Sequence, residues 1–179
     1  MPPALRKLAL AIHLTTSVGW VGAVAGYLAL DVTVATSGDP SVVRAAWVGM
    51  GLIVSWAIVP LAFASLVTGL VMALGTKWGL FRHWWVLISF LLTVGATGVL
   101  LSETRVISDG AAMAADPATS TDQLLASPST LPHSLGGLVV LLAVQVLNVY
   151  KPQGLTPWGW RRLQEERRRH AQRWERARP

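Results

Sequence analysis

Long apolar runs separated by polar stretches dominate this chain of 179 residues. Four runs approach the ~20 residues that a helix needs to cross a hydrocarbon core of roughly 30 Å. They are Leu8 to Leu30, Trp47 to Leu74, Trp84 to Leu101 and Leu135 to Tyr150. The expected fold class is all-α: a four-helix transmembrane bundle occupying residues 1–150, with spans at about 8–30, 47–74, 84–101 and 135–150, followed by a basic tail over 151–179. The second run contains Pro60, which lacks an amide hydrogen and crowds the preceding turn, so a kink or tilt is expected just before it.

The first run, HLTTSVGWVGAVAGYLAL, organises the rest. At 100° per residue His13, Ser17, Trp20, Val24 and Tyr27 share one face, while Thr15, Gly19, Gly22 and Gly26 form a nearly opposite ridge of small residues. Such ridges in membrane helices are foremost packing surfaces, because small side chains let backbones approach. The run lasts too long, without a small-x-small cleavage site, for a signal peptide, and reads as a retained span.

Composition agrees: 53% hydrophobic and 13% charged residues describe an integral membrane protein. The net charge of +6 is concentrated in the tail, so it does not argue for nucleic-acid binding. Arg6 and Lys7, Lys77 and Arg82, and the cations after Tyr150 lie on one side of the expected bundle, which makes that side cytoplasmic and puts both termini there. The lipid bilayer is the first partner that follows. In the first opposite loop the SGDP turn leads to Ser41, the expected cap of the second helix. The second, Ser102 to Pro132, is rich in Ala, Ser, Thr, Asp and Pro; a short helix over Ala111 to Ala115 and no core are expected there. Trp47, Trp78, Trp84, Trp85, Trp158 and Trp160 read as an interfacial belt, whereas Trp20 and Trp56 lie deeper and call for packing or a site. The tail pairs Glu165 with Arg169 and Glu166 with His170 at helical spacing, and reads as a topology anchor or a contact with anionic lipid.

Candidate chemistry is sparse. The absence of cysteine excludes disulfides and thiolate ligands. No Asp, Glu, Lys or Arg falls well inside the four runs, which leaves His13, His83 and His133 as the ionisable candidates. Imidazoles, glycines and aromatic walls together suit a flat hydrophobic cofactor, so His13, Trp20, His83 and His133 are the candidate cofactor-binding residues, with haem b the expected group. His13 and His83 are the candidate pair for a metal ion instead. Gln145 and Asn148 are expected to hydrogen-bond between helices. No P-loop, dinucleotide fingerprint, HExxH or GxSxG occurs.

The segments HLTTSVGWVGAV, GTKWGLFRHWWVL, HSLGGLVVLL and VYKPQGLTPWG resemble the bacterial DUF2269 family of four-helix membrane proteins in its actinobacterial form. The first helix is also similar to those of the HemJ-type protoporphyrinogen oxidases and the CopD-type copper resistance proteins, through His13, Trp20 and Gly22. The HemJ-type resemblance implies a haem-site lysine in the WVLIS segment, where this chain has Ser89 and His83 is the nearest substitute.

Two functions follow. In the first, His13 with His83 or His133 holds haem b or a metal ion in a redox or cofactor-handling role. In the second, the chain is a non-catalytic membrane scaffold whose glycine ridges pack against another membrane protein or a second copy, with the histidines as interhelical hydrogen-bond partners. A solute transporter is the weakest reading, because no charged group lines the interior.

Overall fold

Six helices make up most of the computed structural model, which describes residues 2–76 and 78–176. Met1, Lys77, counted above as a cytoplasmic-side cation, and tail residues 177–179 lie outside the described residues. In chain order the helices are α1 (Pro3–Thr36), α2 (Pro40–Gly75), α3 (Trp84–Ala115), α4 (Thr121–Leu125), α5 (Leu131–Tyr150) and α6 (Pro157–Arg176). α1, α2, α3 and α5 are long and apolar enough to cross a membrane, the build of a multi-pass membrane protein. Leu8, Val18, Leu52, Val67, Ile88, Val139 and Val146 are exposed on their outer surfaces, as a lipid-facing girdle requires.

α1 packs against α2 and α5, and α3 packs against the same two, so the four long helices form a square. Leu30 lies against Gly49, Leu61 against Gly19 and His13 against Gly69, which makes α1 and α2 antiparallel. The main core is a stripe of α2, Val43, Trp47, Met50, Val54, Ile58 and Ala62, set against Trp20, Val24 and Tyr27 of α1, Ile107 and Ala114 of α3 and Leu141 of α5. A smaller cluster of Ala73, Leu80, Trp85 and Val86 closes the end that carries the termini.

The long helices extend past the apolar runs. α1 has 34 residues and α3 has 32, about 51 and 48 Å at 1.5 Å per residue. This corrects the expectation for residues 102–132. α3 continues to Ala115 with Ile107, Gly110 and Ala114 buried, and α4 buries Leu124 behind a Ser120–Gln123 capping box. Arg44 of α2 holds this region down: its guanidinium donates to the carbonyls of Ala114, Asp116 and Thr119, where α3 ends and its carbonyls lack helical partners.

The cap of α2 is Asp39 rather than Ser41. The Asp39 carboxylate accepts the Ser41 amide and hydroxyl at 2.8 and 2.7 Å, with Pro40 in the first helical position. The distortion expected before Pro60 is a π-helical turn over Val54–Ile58, in which the Val59 amide reaches back to the Val54 carbonyl. The wider turn accommodates the proline ring and the missing donor. Trp56, expected in a packed or site-lining position, is 81% exposed on this turn. Trp47 and Trp85, expected in the interfacial belt, are core residues, whereas Trp84, Trp158 and Trp160 are exposed as a belt requires.

At the terminal end, residues 151–159 are fastened to the α2–α3 connection. The Trp84 amide donates to Gly154, the Thr156 amide donates to the Arg82 carbonyl, and Arg82 meets Glu166 of α6 through both guanidinium nitrogens. Gly159 lies so close to the Arg82 carbonyl that a Cβ there would stand 2.3 Å from its oxygen.

Candidate ligand-binding cleft

Where α3 and α5 face one another the square is not filled. A cleft of about 440 Å³ opens between them, floored by Trp20, Val24 and Tyr27 of α1 and by Val54 and Ile58 of the π turn. Its α3 wall runs through Leu91, Gly95, Val99 and Glu103, and its α5 wall through Pro132, His133, Gly136, Gly137 and Val140. Gly95, Gly136 and Gly137 have no atom within 4 Å of where a Cβ would stand, so these glycines widen the cleft rather than bring helices together. The volume lies in the range of small-molecule sites, and the walls are almost wholly apolar.

Polar groups gather at the end away from the termini. Asp31, 3% exposed, is the continuation of the Trp20–Val24–Tyr27 face one turn further along α1. Its carboxylate accepts the Thr130 hydroxyl at 3.0 Å and the Ser134 hydroxyl at 2.7 Å. Thr130 has one proton and gives it to Asp31. The contact of 2.9 Å between Tyr27 and Thr130 is therefore a donation from the phenol. The result is a directed chain from Tyr27 through Thr130 to Asp31, with the phenol lining the cleft and its lone pairs still able to accept. Across the opening, Glu103 of α3 lies 3.6 Å from Nδ1 of His133, an ion-pair distance longer than a good hydrogen bond. On the floor, Trp20 is 3% exposed and its indole N–H has no partner.

The candidate residues separate accordingly. Trp20 and His133 line the cleft; His13 and His83 do not. His13 Nδ1 lies 3.0 Å from the Thr68 hydroxyl. That hydroxyl donates to the Ala64 carbonyl at 2.6 Å, so it accepts from His13, which is an interhelical hydrogen bond between α1 and α2. His83 precedes α3 and places Nδ1 2.6 Å from the Trp78 carbonyl, with the two rings edge to face. His13, His83 and His133 therefore each have a different partner on a different element. Among the described residues no group of three or more His, Asp or Glu could hold a metal ion. Ser89, which stands where the HemJ-type resemblance implies a lysine, is buried with its hydroxyl unpartnered.

Two features escaped the sequence. Asp31 sits one residue beyond the apolar run, yet its spacing from Tyr27 was the signal: the same helical step that links Val24 to Trp20 leads to it. Glu103 was read as a loop residue, although it follows Gly95 and Val99 at four-residue intervals. The glycine ridge of α1 also departs from expectation within this chain. Gly19 meets Leu61 at 3.6 Å, but Gly22 and Gly26 are exposed with nothing within 4 Å.

Comparison of the chain with family models, curated proteins and solved structures returned no match.

Proposed function

We propose that this multi-pass membrane protein binds a hydrophobic molecule with one polar end, taken from within the bilayer into the cleft between α3 and α5. The observation that carries the reading is the pairing of about 440 Å³ of apolar space with a single polar end at Tyr27, Glu103 and His133. Packing alone does not explain three glycines beside unfilled space in the walls of an apolar cleft. The chain's role in this reading is cofactor or lipid handling in a bacterial inner membrane, with both termini cytoplasmic and DUF2269-type relatives.

Haem b belongs to this proposal as one occupant. Its ligand would be Nε2 of His133, since Nδ1 faces Glu103 in the carboxylate–imidazole arrangement that orients metal-binding histidines. Trp20 would form part of the apolar wall around it. The test is the protein purified in lipid nanodiscs, followed by an absorbance spectrum and mass spectrometry of the extracted contents. A lipophilic molecule retained by the native chain and lost in Gly136→Leu supports the cleft; identical contents in the two overturn it. A Soret band removed by His133→Ala and kept in His13→Ala selects haem.

The scaffold reading has its own observation, the exposed and unfilled Gly22 and Gly26 of α1. It expects a homodimer or a membrane partner seated on that ridge, lost in Gly22→Leu.

A further inference from the structure

The polar end of the cleft has a definite chemical preference. At this end its free hydrogen-bonding groups are mainly acceptors, the lone pairs of the Tyr27 phenol, whose proton goes to Thr130, and the carboxylate of Glu103, while the unpartnered indole N–H of Trp20 lies on the floor two helical turns along α1 from Tyr27. Behind them stands the carboxylate of Asp31, held in place by Thr130 and Ser134. Against these two acidic side chains the cleft sets one imidazole, that of His133, already beside Glu103. Among the described residues no lysine or arginine lines it. An anionic head would meet the carboxylate of Glu103, with that of Asp31 buried behind Thr130 and Ser134, in a medium where charges are weakly screened. A head carrying O–H or N–H would meet unfilled acceptors.

We infer that the cleft selects hydrophobic molecules whose head donates a hydrogen bond and bears no negative charge, an alcohol, phenol or amine on an apolar body. The inference rests on the ligand-binding reading above and narrows it. It disfavours carboxylate-, phosphate- and sulfonate-headed lipids, and likewise a macrocycle whose propionates would lie at this end. Asp31 acts here as a positioning residue: by taking the Thr130 proton it turns Tyr27 into an acceptor toward the cleft.

The test uses the full chain in nanodiscs of zwitterionic lipid and four probes with the same bromine-labelled alkyl chain: a primary alcohol, a primary amine, a methyl ether and a sulfonate. Quenching of tryptophan emission reports entry, and Gly136→Leu defines the part that belongs to the cleft. Alcohol and amine are expected to bind, the ether about tenfold more weakly for want of a donor, and the sulfonate more weakly still. Separate alcohol and amine arms show whether the natural head is neutral or cationic. In Glu103→Gln the preference over the sulfonate should shrink about tenfold. Thr130→Val should reduce the preference of alcohol over ether, because Tyr27 loses its fixed acceptor role. Equal binding of all four probes, or tightest binding of the sulfonate, overturns the inference while leaving the cleft a ligand site. Failure of every probe to show Gly136-sensitive quenching overturns the ligand-binding reading itself.

Discussion

Two sets of glycines in this bundle do opposite work. At the α2–α3 contact, Gly110 receives the face of Trp47, and a Cβ there would stand 2.5 Å from the indole; Gly51 likewise lies against Ala111, at 2.7 Å. At the α3–α5 cleft, Gly95, Gly136 and Gly137 look onto space, with nothing within 4 Å. The sequence alone does not separate the two sets: Gly51, Gly95, Gly136 and Gly137 all fall in apolar runs, and Gly110 falls in a stretch expected to have no core. What separates them is the neighbour. Trp47 fills the slot at Gly110 and Ala111 meets Gly51, whereas nothing fills the space beside Gly95, Gly136 and Gly137. One side of the molecule is thereby closed and the other left open.

The comparison fails first if the tight set proves tolerant. Gly110→Ala should destabilise the fold by about 1–3 kcal/mol, since the methyl group must displace Trp47 or part the helices. Unfolding in mixed micelles of increasing denaturing-detergent fraction measures it. Removing a hydroxyl donor at the polar end comes next: Ser134→Ala should cost about 1 kcal/mol by leaving Asp31 with Thr130 alone. The same unfolding assay, combined with Asp31→Asn in a double-mutant cycle, shows whether the two residues are coupled. The open set should respond in the other sense. Gly136→Ala is expected to leave stability unchanged or raise it by up to about 1 kcal/mol, because alanine favours the helix and meets no neighbour. A large destabilisation there would erase the distinction.

The smallest expected effect is a pH response outside the spans. The amide and hydroxyl of Ser41 hold the Asp39 carboxyl below its usual range, the hydroxyl contributing most. A carboxyl whose folded value is depressed contributes stability above its unfolded value, taken as 3.8, and that contribution is lost as pH falls from there through the lower folded value. Asp39→Asn should therefore flatten the acid limb of the unfolding midpoint against pH without moving it at neutral pH.

Much of the architecture was legible because membrane spans are written in hydrophobicity. The four helices, their order and the disturbance ahead of Pro60 all follow from apolar run length and one imino acid. Helix ends were not, because hydrophobicity stops where charge begins whereas hydrogen bonding does not. Asp31 and Glu103 end apolar runs and yet lie within helices, Asp31 satisfied by hydroxyls from α5 and its preceding turn. Burial of tryptophan was illegible for a related reason. Trp47 near a span end suits an interface equally well until Gly110, more than sixty residues away in sequence, supplies a slot for it. Of the candidate site residues, the Trp20 face of α1 was legible and leads to the cleft. Pairing among the histidines depended on distances between helices that no pattern within one helix encodes.

Thr130 carries a consequence for how the bundle assembles. It occupies the position before α5 from which a threonine ordinarily caps its own helix, yet its hydroxyl serves the first span instead. The start of the last span is therefore tied to a partner roughly a hundred residues earlier, Asp31, as well as to its own Pro132. A nascent chain has made α1 long before Thr130 is synthesised, so the acid waits for its hydroxyl donors, and the seam between first and last spans is the one that closes the ring.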